Sequence, residues 1–203
     1  MKVLRKIAFV MLLLCLWACS AGNKTETAEN TAETAEVSVN TGNIIKVAID
    51  IKDYGTVKAE LYEDVAPKSV ANFVSLVKDG FYDGNRFHRI IDGFMIQGGA
   101  DMSGTVKNIE GEFEANGFKN DLKHTEGVLS MARAKDMNSA TSQFFIMVGD
   151  ADWLDGQYAA FGKVYEGLDI VKKIASDARP IDNNGTIKEE EMPQIESIRI
   201  IEE

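Results

Sequence analysis

The chain has 203 residues, 45% of them hydrophobic and 27% charged, with a formal net charge of -10. Those proportions describe a globular domain with appendages and exclude a fibrous or wholly disordered chain. The acidic balance argues against nucleic acid as a partner, because phosphate binding needs a basic face. Two cysteines and two histidines rule out a Cys-rich zinc module or a disulfide scaffold.

Lys2, Arg5 and Lys6 precede an apolar run of twelve residues, Ile7 to Ala18. A helix needs roughly 20 such residues to cross a bilayer core, so the run reads as a secretory signal. It ends in Leu16-Trp17-Ala18-Cys19, which resembles the bacterial lipobox, with Trp17 where a small or aliphatic residue is usual. That resemblance implies removal of residues 1–18, acylation of Cys19, and an extracytoplasmic protein lipid-anchored to the bacterial cell membrane or envelope. The alternative is an ordinary signal peptide with an incidental cysteine. Processing would remove three positive charges and no negative ones, taking the net charge to -13. Residues 19–43 then form the lipidated cysteine and a polar tether with imperfect TAE repeats and no apolar face. A flexible chain of this length reaches about 27 Å.

Residues 44–203 read as one mostly-β domain. Ile44 to Ile51 and Thr56 to Tyr62 have strand composition, and Asp53-Tyr54-Gly55 joins them as a hairpin. Pro67 opens a helix whose apolar face is Val70, Phe73, Val74 and Val77, and Gly80 lies just past its end. Short apolar runs at 86–91, 94–97, 127–132, 143–148 and 159–164 are strands separated by Gly, Asp and Asn. Leu168, Val171, Ile174 and Ala175 mark a second amphipathic helix, and residues 194–201 alternate as a closing strand. About eight closely spaced strands with two helices point to an antiparallel sandwich or barrel rather than a βαβ fold.

Three stretches carry chemistry: residues 87–99 (FHRIIDGFMIQGG), 129–133 (LSMAR), and 142–146 (SQFFI) with 153–164 (WLDGQYAAFGKV). In the first, alternation would put Phe94 with Ile96 on one face and Met95 with Gln97 on the other. Taken together, in this order and spacing, they resemble the cyclophilins, a family of peptidyl-prolyl cis-trans isomerases, over about residues 44–203. The resemblance implies a closed eight-stranded antiparallel barrel capped by two α-helices, with the active groove on the barrel's outer face. It implies that Arg89 is the catalytic arginine, with Phe94 and Gln97 beside it in the catalytic set. Met95, Phe145 and Leu154 match the rest of the apolar proline pocket, and Ala132 and Gln143 further groove positions. Trp153 matches the rim tryptophan associated with cyclosporin, which makes that drug a candidate ligand.

Two positions depart from the family pattern. Tyr158 stands where many members have histidine, and Arg133 where many have asparagine, so Arg133 is expected to favour acidic residues in the client. His88 and His124 lack ligand spacing and read as structural. Asp182-Asn183-Asn184-Gly185-Thr186-Ile187 faintly resembles a calcium loop, but aligning Gly185 with the loop glycine puts Pro180 where a carboxylate is needed. No metal and no cofactor is expected. The partners expected are proline-containing segments of exported proteins and the membrane, with the protein itself a monomer. The rival reading is an extracytoplasmic proline-peptide-binding chaperone or adhesion module without significant turnover.

Overall fold

A computed structural model describes residues 42–202. The signal segment 1–18, Cys19 and the tether up to residue 41 lie outside the described residues.

The hairpin forms as expected from β1 (Ile44–Ile51) and β2 (Gly55–Tyr62), turning through Asp53, which adopts φ +65°. Helix α1 (Pro67–Lys78) follows, with proline in its first turn where a missing N–H costs nothing. Next come β3 (Arg89–Ile91), β4 (Met95–Gly98), β5 (Val128–Met131), β6 (Phe144–Met147) and β7 (Ala160–Glu166). Helix α2 (Leu168–Asp177) and strand β8 (Ile195–Ile201) complete the domain. All pairings are antiparallel, in the order β3-β4-β6-β5-β7-β2-β1-β8.

The eight-stranded sheet curls into a half-barrel, and the expected closure is incomplete. Strands β3 and β8 share no ladder among the described residues. Their N-terminal flanks meet instead, through an isolated bridge between Arg86 and Gln194 and the bonds Gly84 N–H to Ile195 O (2.8 Å) and Phe87 N–H to Pro193 O (2.9 Å). Pro193 has no N–H to return, so this seam cannot extend into a regular pairing.

Both faces of the central strands are buried, which explains why β4, β5 and β6 read as apolar runs without clean alternation. Ile96, Phe144, Ile146, Leu129 and Met131 face the interior with Phe73, Tyr82, Phe87 and Phe161. Phe73 lies at the centre of this core, 5.0 Å from Tyr82 and 5.3 Å from both Phe144 and Phe161. Each such side chain contributes about 1.5–3 kcal/mol by burial. The opposite face carries a second cluster around Met95, Val128, Phe145, Met147 and Leu154.

Helix α1 packs on β8 and β2, and α2 on β2 and β4. The start of α1 has no local side-chain cap, since Ala66 precedes it. Fully buried Glu112 reaches it from a distant loop, accepting hydrogen bonds from the Lys68 N–H (2.8 Å), the Ser69 N–H (2.7 Å) and the Ser69 hydroxyl (2.7 Å). A carboxylate satisfies the unpaired N–H groups there and matches the positive end of the helix dipole.

Candidate active site

The site begins as one rung across the outer face of the sheet. Register places Arg89 opposite Gln97, Gln97 opposite Phe145, and Phe145 opposite Ser130, on four neighbouring strands. Because side chains alternate along a strand, these four share a face. The next pairs on that face are Ile91 with Met95 and Met95 with Met147.

Phe94 does not accompany Ile96 into the interior, as strict alternation would have it. It lies in the turn before β4, its N–H on the Ile91 carbonyl at 3.0 Å, and packs against the outer cluster with Met95. Gly93, at φ +70°, makes that turn possible.

Around the rung is a pocket of about 200 Å3, lined by Arg89, Phe94, Met95, Gln97, Ala132, Arg133, Phe145, Leu154 and Tyr158. Every one of these residues was singled out from the sequence. Its floor is nearly sealed from solvent: Met95 is 1% exposed, Phe145 5% and Leu154 7%. The Tyr158 ring stands edge-on to Phe145, with centroids 6.0 Å apart. Two anticipated residues lie beside the pocket rather than in it. Gln143 accepts from the Gln97 amide at 2.9 Å. Trp153 is 64% exposed at the rim, its ring 5.8 Å from Phe94.

Arg89 is the charged group at the pocket edge. Its Nη1 donates to Gln97 Oε1 at 3.2 Å and contacts Met95 Sδ at 3.6 Å, while its Nε donates to the Asn184 carbonyl at 2.7 Å. The second anchor was invisible in the sequence, because a main-chain oxygen leaves no side-chain signature. Arg133 also turns inward. Its guanidinium lies over Tyr158 (4.7 Å) and Phe113 (5.1 Å) and donates to the Gln157 carbonyl at 3.0 Å. Its charge is thus held against the pocket wall by cation–π contacts.

Beneath Phe145 lies a polar layer that was not foreseen. The His124 ring stacks on Phe145 at 6.1 Å and joins Asp155 through Nδ1 (3.0 Å) and Ser130 Oγ through Nε2 (3.0 Å). Burial pushes the His124 pKa down and outweighs the opposing pull of Asp155. This Ser-His-Asp grouping is no nucleophilic triad, since Ser130 is fully buried beneath the pocket floor. His88 keeps its Nδ1 buried without a hydrogen-bond partner and its pKa is likewise lowered, first by burial and then by Arg89. A larger cleft of about 700 Å3, lined by Phe81, His88, Met102 and Met192 among others, holds none of the pocket residues.

A recess with an apolar floor, a polar rim, a fixed cation at its edge and no Ser, Cys or Lys among its lining residues suits a reaction that makes no covalent intermediate. Comparison with known proteins agrees. Residues 46–201 match the family model for cyclophilin type peptidyl-prolyl cis-trans isomerases. A peptidyl-prolyl cis-trans isomerase of Acinetobacter baylyi is 46% identical over 127 residues, 60% of this chain and 68% of that protein. Peptidyl-prolyl cis-trans isomerase ppi1 of Schizosaccharomyces pombe is 43% identical over 143 residues, 66% of this chain and 91% of the relative. A crystal structure of a cyclophilin type isomerase from Cryptosporidium parvum superposes with a TM-score of 0.64 at 31% identity, covering 79% of this chain and 99% of that one. The chain belongs to the cyclophilin-type peptidyl-prolyl cis-trans isomerases. It is an enzyme that accelerates rotation about X-Pro peptide bonds, and its partners are proline-containing peptides.

Proposed function

We propose that Arg89 drives this isomerisation by donating a hydrogen bond to the prolyl nitrogen of a twisted amide. The proline ring is held by Phe94, Met95, Phe145 and Leu154, and the client backbone is bound by Gln97 and Gln143. Rotation about a peptide C–N bond faces a barrier of roughly 18–20 kcal/mol from amide resonance. Twisting removes the resonance and leaves the nitrogen pyramidal and basic. A donor aimed there stabilises the transition state and does little for the planar ground state, which is the condition for catalysis. The observation that carries this reading is the position of Arg89, fixed at the pocket edge between Gln97 and Asn184.

The proposal extends to clients and location. The lipobox-like segment ending at Cys19 supports an anchored enzyme acting outside the cytoplasm on exported proteins. Arg133 on the pocket wall supports a preference for acidic residues near the client proline. The exposed Trp153 ring beside Phe94 supports cyclosporin as an inhibitor that packs on the rim.

The test is the turnover of X-Pro peptides by the full-length protein and its Arg89→Ala variant. We expect kcat/KM to fall about 100-fold, or about 2.7 kcal/mol of transition-state stabilisation. Undiminished turnover in Arg89→Ala would remove the arginine from the mechanism.

A further inference from the structure

The segment that faintly resembled a calcium loop has another use in the structure. Its residues satisfy one another and face Arg89. Asp182 Oδ1 accepts the N–H of Asn184 and of Thr186, both at 3.0 Å, and the Ile181 N–H donates to the Thr186 carbonyl at 2.8 Å. These bonds hold the carboxyl of Asp182 below the usual carboxylate range, the Thr186 N–H most of all. Gly185 adopts φ +86°, and a Cβ there would stand 2.6 Å from the Ile90 carbonyl oxygen. Only glycine lets the loop approach the strand so closely.

The loop lies along the edge of β3 that no strand covers. The Ile90 N–H donates to the Gly185 carbonyl at 2.8 Å, the Ile187 N–H to the His88 carbonyl at 3.1 Å, and an isolated bridge joins Arg89 to Thr186. Asn184 comes immediately before these contacts, and its carbonyl takes the Arg89 Nε–H at 2.7 Å. A guanidinium is planar. One anchor at Nε and another at Nη1, on Gln97, fix that plane against rotation.

We propose that residues 181–187 form a positioning element for Arg89, with Asp182 setting the loop and the Asn184 carbonyl seating the guanidinium. The proposal rests on the catalytic reading of Arg89. Displacing a catalytic donor by a fraction of an ångström to an ångström weakens the transition state far more than it weakens substrate binding.

The test uses the full-length protein carrying Asp182→Ala, Asp182→Asn, Arg89→Ala, Arg89→Lys and the Asp182→Ala/Arg89→Lys pair. Asp182 is exposed, so its removal does not empty the core. We expect Asp182→Ala to lower kcat about tenfold and leave KM within about twofold. The Arg89 Nε–H, followed by 15N NMR, should exchange faster with solvent. Asp182→Asn keeps an acceptor oxygen and should restore most of the turnover, which a loss due to charge alone would not. In the Arg89→Lys background Asp182→Ala should cost nothing more, since lysine offers no Nε–H to seat. Wild-type kcat and an unshifted Nε–H in Asp182→Ala, beside a crippled Arg89→Ala, would overturn the positioning role alone. An equal further loss in the Arg89→Lys background would also overturn it. Full turnover in Arg89→Ala would bring down the catalytic reading and this one together.

Discussion

His124 lies one layer beneath the pocket floor, 2% exposed, between Asp155 and Ser130 and against the Phe145 ring. Folding holds its pKa below the ordinary 6.5, mainly because burial disfavours the charged form. The unfolded chain therefore takes up the proton first as the pH drops, and the stability due to neutral His124 is lost as pH falls below about 6.5. His88 shifts in the same direction for the same leading cause. We expect the urea midpoint to fall between pH 7.5 and pH 5.5, and His124→Asn to shrink that difference. A midpoint indifferent to pH would contradict a neutral buried ring. At this scale the sequence was most legible where a side chain does the work. Phe145 and Met95 fall on the pocket because their motifs fix their places in the register, and Leu154 because the short helical turn Asp152–Leu154 brings it over them. The His124 layer escaped notice because its partners, Ser130 and Asp155, are six and 31 residues away, with no local pattern to join them.

Among the elements, α1 depends on a group outside itself. Glu112 is completely buried and its carboxylate accepts two backbone N–H groups and one hydroxyl at the helix start. Glu112→Ala leaves those donors buried and unpaired, and we expect a loss of about 3 kcal/mol in urea unfolding. Glu112→Gln keeps one acceptor oxygen and should lose less. An Ala variant as stable as the wild type would mean that water or a shift of the loop replaces the carboxylate. Helix α1 itself was readable from Pro67, the spacing of Val70, Phe73, Val74 and Val77, and Gly80. Its cap was not, because Glu112 follows the residues it caps, Ser69 and Lys68, by 43 and 44 positions. Strand β3 shows the converse limit. Residues 86–91 have strand composition throughout, yet only Arg89–Ile91 pair regularly. That ladder is with β4 and starts at Arg89 opposite Gln97, while residues 86 and 87 turn to the segment at 193–194 and form only an isolated bridge there; composition cannot report a partner.

Over the whole molecule, the number and order of elements could be read from the chain, but the degree of closure could not. Closure is decided at the seam between residues 84–87 and 193–195. The proposed anchor belongs to this scale too. We expect Cys19→Ser to move the full-length protein from the membrane to the soluble fraction and to leave kcat/KM within about twofold of wild type, since the pocket is built wholly from residues beyond 88. A wild-type protein that already fractionates as soluble would refute the anchor.

The place of β1 in the sheet has a mechanical consequence. It is the first strand of the described residues, yet it is interior, with β2 on one side and β8 on the other. Gly42 and Asn43, just before it, are tied to Asp64 and Glu63. Traction on the chain from residue 42 therefore enters along a strand whose bonds to both neighbours run across the pull. Those bonds resist in shear, many at once, where an edge strand would peel one bond at a time. If the proposed anchor at Cys19 holds, a client tugging at the groove on β3, β4, β5 and β6 would load the domain through one of its most firmly held strands.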